Sequence, residues 1–339
     1  MTSNAAAWLT AAKARPFEVK STILSSPGED QILIKNHAIA VNPIDGKLQE
    51  TAMYPLNYPA ILGYDVAGQV MEVGPSATRF KKGDRVIGNA AGFSTKRNEE
   101  QAFQEYTILQ SNLASHIPDV IPYERAVVLP LALSTAASGL FNPGFLELRL
   151  PTVPPQAPAK EALLVWGGAS SVGSNAIQLA TAAGYEVMAT ASPKNFEYVK
   201  QLGASHVFDY RSSTVVSDLV NVLKEKKLIG AFDAIGGAAW APAVEVVQKS
   251  EGIKFVATVI RGFPEPPEGI TMKQTQSLTI RENHVGKAIY EDFLPRALNA
   301  GVFVPAPQPV IVGKGLESVQ AAVDLQRKGL SAQKAVILL

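Results

Sequence analysis

The chain has 339 residues, 47% of them hydrophobic and 18% charged, which excludes a disordered polypeptide and leaves room for two folded domains. Its 31 basic and 30 acidic residues give a net charge of +1, so composition offers no electrostatic case for nucleic acid or an anionic membrane. With no cysteine, disulfides and thiolate metal sites are excluded, and His37, His116, His206 and His284 are too scattered to form a ligand pair.

The N-terminal run has neither a basic start nor a long apolar stretch, and no segment reaches the roughly 18 apolar residues of a membrane span. A cytoplasmic protein is expected. Residues 1–130 read as β-rich, with short runs at Ala5–Thr10, Gln31–Val41, Asp65–Val73, Arg85–Gly88 and Ala102–Ile108. Turn signals stand between them at Ser26-Pro27-Gly28, Asn42-Pro43, Val73-Gly74-Pro75 and Lys82-Gly83-Asp84. This spacing predicts a compact barrel-like domain. Pro122–Leu140 reads as helical, and the four prolines within residues 150–160 predict an extended loop.

From Glu161 the pattern changes. Ala162–Trp166 is an apolar run fit for a buried strand, followed by the small-residue turn Gly167-Gly168-Ala169-Ser170-Ser171-Val172-Gly173. A helix-like segment runs to Gly184, and a second apolar run covers Val187–Ala191. Strand, glycine turn, helix and strand make the first half of a dinucleotide-binding unit. Glycine lets the backbone approach a pyrophosphate, and the helix start offers it N–H groups and a positive dipole end. The turn departs from strict G-x-G-x-x-G, so the glycines alone also suit an ordinary tight turn. Ser170 and Ser171 are candidate hydroxyl donors.

The end of the second strand narrows the cofactor. NAD sites usually carry Asp or Glu about 20 residues past the glycines, for the ribose 2′-hydroxyl. Here the chain reads Thr190-Ala191-Ser192-Pro193-Lys194-Asn195, without a carboxylate. A hydroxyl and an ammonium stand where a 2′-phosphate would sit, which predicts NADP(H). Ser192 and Asn195 also suit a helix cap, a role compatible with phosphate binding.

Strands and helices then alternate: helices at Phe196–Leu202, Val215–Lys226 and Ala239–Gln248, strands at His206–Tyr210, Ala231–Ile235 and Ile253–Val259. A doubly wound parallel sheet follows from that order. Ile270–Ile280 suits a further strand and Tyr290–Asn299 a helix, while the tail returns to strand–helix–strand over Val310–Val312, Leu316–Gln326 and Ala335–Leu339. Tyr210, Arg211, Thr258 and Val259 fall at strand ends, where ligands gather in open α/β sheets. Arg211 is a second candidate for the 2′-phosphate or an exposed loop arginine.

Asn42-Pro43-Ile44-Asp45, Leu62-Gly63-Tyr64-Asp65-Val66-Ala67-Gly68, Phe80-Lys81-Lys82-Gly83-Asp84-Arg85-Val86, Ala102-Phe103-Gln104-Glu105-Tyr106, the glycine turn and Gly203-Ala204 with Val207-Phe208-Asp209-Tyr210 together resemble the medium-chain dehydrogenase/reductases over nearly the whole chain. The resemblance implies an α/β protein with a discontinuous GroES-like catalytic domain, 1–132 with 297–339, and a Rossmann domain over 133–296. Within the family the chain is similar to a fungal group labelled zinc-binding dehydrogenases, close to the trans-acting enoyl reductases of polyketide pathways, and Ser192–Phe196 is a mark of that group. Zinc members carry Gly-His-Glu and ligand cysteines; this chain reads Gly63-Tyr64-Asp65 and has no Cys, so no metal is expected.

What remains is metal-free hydride chemistry with NADPH. Reducing a C=C conjugated to a carbonyl needs a donor for the enolate oxygen and a proton for the α-carbon. The resemblance implies that the Asn42–Lys47 segment borders the substrate, with Lys47 as oxyanion donor or proton source, Asn42 as orienting residue, and Tyr54 and Tyr64 as further donors. Related enzymes approach the nicotinamide at Ser134 and Thr135. A quinone reductase, or an NADPH-binding partner protein without turnover, stands as the alternative. Either a monomer or a homodimer is allowed, and a polyketide synthase is a conceivable partner.

Overall fold

The computed structural model describes residues 3–339 and divides them into two compact units, residues 3–131 joined by Pro305–Leu339, and Ala132–Val304. The boundary falls inside the helix Pro130–Phe141. In chain order the first unit contributes β1 (Asn4–Leu9), β2 (Glu18–Thr22), β3 (Gln31–Ala40), β4 (Ala60–Ile61), β5 (Asp65–Val73), β6 (Arg85–Asn89), β7 (Tyr106–Gln110) and β8 (Ala114–His116). The second contributes β9 (Glu161–Trp166), β10 (Glu186–Ala191), β11 (His206–Asp209), β12 (Lys227–Asp233), β13 (Phe255–Thr258) and β14 (Thr271–Gln274). The tail returns β15 (Gln308–Lys314) and β16 (Gln333–Leu338) to the first unit.

In the first unit β3 is the hub. It pairs antiparallel with β5, β7 and the tail strand β16, within a seven-stranded sheet ordered β15-β16-β3-β5-β6-β8 with β7 set against β3. A smaller sheet, β2-β1-β4, completes the unit. Ile32, Ile34 and Ile39 of β3 are fully buried with Phe103, Leu48 and Val319, so the apolar residues of the central strand supply the core as a half-buried strand requires. The register sets Ala40 opposite Asp65 and Asp65 opposite Asn89, which brings the ends of three strands together.

The second unit is an all-parallel sheet ordered β11-β10-β9-β12-β13-β14. Its inner strands β10, β9, β12 and β13 are almost entirely buried, as helices on both faces demand, while the edge strands β11 and β14 are half-buried or exposed. The strand order reverses between β9 and β12, which makes a topological switch point there. The protein is thus a two-domain α/β chain, a GroES-like domain and a parallel-sheet Rossmann-type domain.

Several elements differ from the sequence reading. Asn42–Lys47, expected as turn and loop, opens a helix, Pro43–Thr51. The start signal is explicit: Asn42 stands at the N-cap, Pro43 at the first helical position, and the Asp45 carboxylate accepts the Asn42 backbone N–H at 2.8 Å. Ala102–Ile108 becomes a strand only from Tyr106. Ile270–Ile280 holds a strand over its first part and then a 3-10 turn, Ser277–Glu282. Tyr290–Asn299 begins as a π-type turn and is α-helical only from Leu294.

Candidate functional site

The glycine turn sits at the C-terminal end of β9, at the switch point, and its geometry needs glycine. Gly167 has φ of +86°, and a Cβ on it would lie 2.2 Å from Ile235. A Cβ on Gly173 would lie 2.2 Å from the Gly167 carbonyl oxygen, so the helix Ser171–Ala182 crosses the turn at a distance only glycine permits. The turn is fastened to β10: the Gly167 N–H donates to Thr190 Oγ1 at 3.0 Å and the Gly168 N–H to the Thr190 carbonyl at 2.8 Å. Ser170 caps the helix by accepting the Gly173 N–H at 3.0 Å and donates to the Ala234 carbonyl at 3.3 Å. Its hydroxyl is therefore engaged within the turn. Ser171 and Val172 start the helix, where first-turn N–H groups have no intrahelical acceptor. An anion at that point would meet amides and a positive dipole end.

The end of β10 carries the other half of the pattern. Ser192 is half-buried and accepts a 3.2 Å hydrogen bond from the Asn195 amide, while Lys194 is exposed on the 3-10 turn Pro193–Asn195. On the adjacent strand Ala191 faces Asp209 in register. The Asp209 carboxylate accepts from Arg211 through the backbone N–H at 3.0 Å and Nε at 3.3 Å, and the guanidinium lies 5.5 Å from the Tyr210 ring. Arg211 and Tyr210 are exposed, so Asp209, the carboxylate in register with the end of β10, already has a cation of its own.

At the end of β13 Thr258 is fully buried and donates to Asp233 at 2.7 Å; Asp233 also accepts the Ile235 and Gly236 N–H groups. Thr258 thus braces the β12–β13 ends, and Val259 next to it is half-buried. Nothing in the local sequence singles out Asp233 as the brace, because its partners come from a turn and a separate strand. Ser134 is buried with its hydroxyl 2.8 Å from Tyr290 Oη, and Thr135 is nearly buried on the same helix.

In the first unit the converging ends of β3, β5 and β6 hold a buried polar cluster. Asp65 accepts from Lys334 Nζ at 2.5 Å, from the Asn42 amide at 2.8 Å and from the Leu131 N–H at 2.6 Å. Lys334 comes from β16 and also donates to the Val128 carbonyl at 3.1 Å. Asn42 is thus committed to Asp65 and fixes the helix start. Asp45 is fully buried; one oxygen accepts the Asn42 N–H, and the other, near the Gly63 amide, makes no hydrogen bond of ordinary geometry. Burial raises the Asp45 pKa to about 7, the Asp65 charge adds to the rise, and the Asn42 N–H and Lys334 oppose it. Burial first, then the charges of Asp45 and Tyr54, also push Tyr64 well above its usual range, so its hydroxyl stays protonated.

That shift has a measurable consequence. The native state holds the Asp45 proton up to about pH 7 while the unfolded chain releases it near 3.8, so stability falls as pH rises through that window and levels off above it. Asp45→Asn flattens this slope, and urea midpoints at pH 5 and pH 8 measure it; a slope equal to that of the parent would remove Asp45 as its source.

Tyr54 and Tyr64 meet across Phe93, a residue the sequence reading passed over. Phe93 is 5.4 Å from the Tyr54 ring, edge-on, and 6.3 Å from Tyr64. Lys47 is exposed on the Pro43–Thr51 helix. It borders an open groove of about 880 Å³ with Pro43, Glu50, Arg327 and Lys328, in which Arg327 is paired with Glu50 and Arg15 with Asp324. No carboxylate pairs with Lys47 among the described residues.

A metal does not fit these residues. Among the described residues no three His, Asp or Glu side chains gather as a ligand set, and the Asp65 oxygens are taken by three donors. No helix of the described chain is long and apolar enough to cross a membrane.

Comparison with known proteins agrees with this architecture. The family model of the alcohol dehydrogenase GroES-like domain matches residues 28–119, and that of the zinc-binding dehydrogenases matches residues 171–299. The chain is 58% identical over 337 residues to the zinc-binding alcohol dehydrogenase domain-containing protein cipB of Emericella nidulans, covering 99% of this chain and 98% of that one. It is 40% identical to the trans-enoyl reductase himH of Aspergillus japonicus, over 98% and 97% of the two chains. In fold it is similar to the Escherichia coli quinone oxidoreductase, solved as a complex with NADPH, at a TM-score of 0.73 and 20% identity over the whole of both chains. The chain belongs to the medium-chain dehydrogenase/reductase family of oxidoreductases.

Proposed function

We propose that this protein is an NADPH-dependent ene reductase that transfers hydride to the C=C of an α,β-unsaturated carbonyl without a metal. The observation that carries the cofactor half is the end of β10, where Ser192 and Lys194 replace the expected carboxylate and the nearest one, Asp209, is paired with Arg211. The reaction half is supported by the relative named as a trans-enoyl reductase, matched over nearly the full length of both chains.

The bound nicotinamide supplies the hydride. The protein's own residues do the rest. The Gly167–Gly173 turn receives the pyrophosphate, and Lys194 the 2′-phosphate. Lys47, a cation without a carboxylate partner, donates to the enolate oxygen or returns a proton to the α-carbon. Tyr64 is held protonated and stands with Tyr54 across Phe93, and the two are further donors to the substrate. Asn42 keeps the helix carrying Lys47 in place through Asp65.

The test is NADPH and NADH oxidation against a panel of enones and quinones. Enone turnover with NADPH preference is expected; quinone turnover alone moves the protein to the quinone reductases. Lys47→Ala lowers kcat about tenfold and leaves the NADPH Kd within twofold, since the tyrosines remain. An unchanged kcat transfers the role to Tyr54.

A further inference from the structure

Lys47 and Glu50 are both exposed and stand three positions apart on the helix Pro43–Thr51. Side chains at that spacing share a helix face, and a lysine and a glutamate so placed ordinarily attract each other into a pair. Here they do not pair. The Glu50 carboxylate is held instead by the guanidinium of Arg327, from the last turn of the helix Val319–Lys328. The stem of Arg327 passes directly against the first helix: a Cβ on Gly46 would stand 2.9 Å from its Cγ and 3.2 Å from its Cδ. Glycine weakens a helix interior, and Gly46 stands where the close passage of that stem needs it. The other carboxylate of the groove is occupied in the same way. Asp324 accepts from Arg15 at 2.6 Å and from the Gln320 amide at 3.0 Å. Each of the groove's two carboxylates is thus taken by an arginine, while Lys47 and Lys328 line it without a carboxylate partner among the described residues.

We propose that Arg327 is a positioning residue for the reaction: by occupying Glu50 it keeps that carboxylate off Lys47 and leaves the ammonium free to donate to the substrate. This rests on the ene-reductase reading and deepens it. A lysine serves as oxyanion donor or proton source only while its N–H groups can turn to the substrate. A carboxylate beside it takes one of them and holds the proton more tightly. Arginine suits the guarding role because it stays charged at any working pH, so Glu50 is occupied throughout. The pair that Arg327 prevents is an exposed one at helical spacing, which would engage Lys47 about two-thirds of the time. The effect of releasing Glu50 is therefore about threefold, smaller than the loss of Lys47 itself. Arg327 touches no reacting atom and acts only through Glu50 and Lys47.

The experiment compares the wild type with Arg327→Met, Arg327→Lys, Glu50→Gln and the double variant Arg327→Met with Glu50→Gln, using cyclohex-2-enone and saturating NADPH. Arg327→Met keeps an apolar stem over Gly46 and drops the charge. It is expected to lower kcat about threefold, with the NADPH Kd unchanged. Arg327→Lys and Glu50→Gln keep the wild-type kcat, the first because Glu50 stays occupied and the second because the carboxylate is gone. The double variant recovers the wild-type kcat, whereas a mere loss of packing between the two helices would persist in it. An unchanged kcat in Arg327→Met overturns the proposal, as does a loss that the double variant does not recover. Should Arg327→Met not fold, Arg327→Gln serves, with the same two outcomes against the proposal. The second readout is acetylation of Lys47 by acetic anhydride at pH 8, followed by peptide mass spectrometry with the exposed Lys82 as reference. Arg327→Met slows it about threefold and the double variant restores it. If the wild type does not reduce the enone, the ene-reductase reading fails by itself. The acetylation rates then decide Arg327, equal rates in the wild type and Arg327→Met overturning its role.

Discussion

Lys334→Met destabilises the first unit by about 3–5 kcal/mol, the usual cost of leaving one charge of a buried pair without its partner. Lys334 and Asp65 are both almost wholly buried, 2.5 Å apart. Without the ammonium, Asp65 keeps only the Asn42 amide and the Leu131 N–H. The pair also ties β16 to the strand ends it packs against, since Val41 N–H donates to the Ala335 carbonyl beside it at 3.0 Å. Urea unfolding checks this in a Trp166→Phe, Trp240→Phe background, where Trp8 reports the first unit alone. Adding Asp65→Asn to Lys334→Met removes the orphaned charge and recovers part of the loss, because the two effects are coupled. A single variant within 1 kcal/mol of the parent would show that the pair is structurally idle.

Local patterns carried the second unit well and the first less so. The strands at Ala162–Trp166 and Val187–Ala191 are legible because a parallel strand buried on both faces must be apolar throughout, and the glycine turn because only glycine survives the approach of Gly173 to Gly167. The helix Pro43–Thr51 is not read from the sequence although Asn42, Pro43 and Asp45 spell a helix start; Asn42-Pro43 reads first as turn chemistry. The Asp65–Lys334 pair lay beyond any local pattern. Its members are 269 positions apart, and a lysine near the start of a tail strand reads as a solvated edge charge. Asn89, which closes β6 fully buried, is hidden for the opposite reason: an asparagine at the end of an apolar run reads as an ordinary turn residue, and only burial without partners sets it apart. What sequence leaves out here is long-range pairing and its failures.

Lys194→Ala is expected to weaken NADPH binding about thirty- to a hundredfold and NADH binding less than twofold. The difference between the two cofactors is one phosphate on the adenosine ribose, so a residue that binds that phosphate affects only one of them. A charge-assisted contact to a phosphate contributes about 2–3 kcal/mol where it is partly shielded, and each 1.4 kcal/mol is tenfold in Kd. Lys194 is exposed, which places the effect at the lower end and makes it fall with added salt. Arg211 is the control. It is bound to Asp209, so Arg211→Ala removes a cation and frees a carboxylate together. If Arg211 serves the phosphate as well, its loss costs NADPH more than Lys194→Ala does, because the freed carboxylate repels the same group. If it serves only Asp209, NADH improves slightly, since the carboxylate then faces a ribose hydroxyl it can accept from. Fluorescence titration of both cofactors with the two variants separates these outcomes. Equal losses for NADPH and NADH on Lys194→Ala would place Lys194 outside the phosphate site.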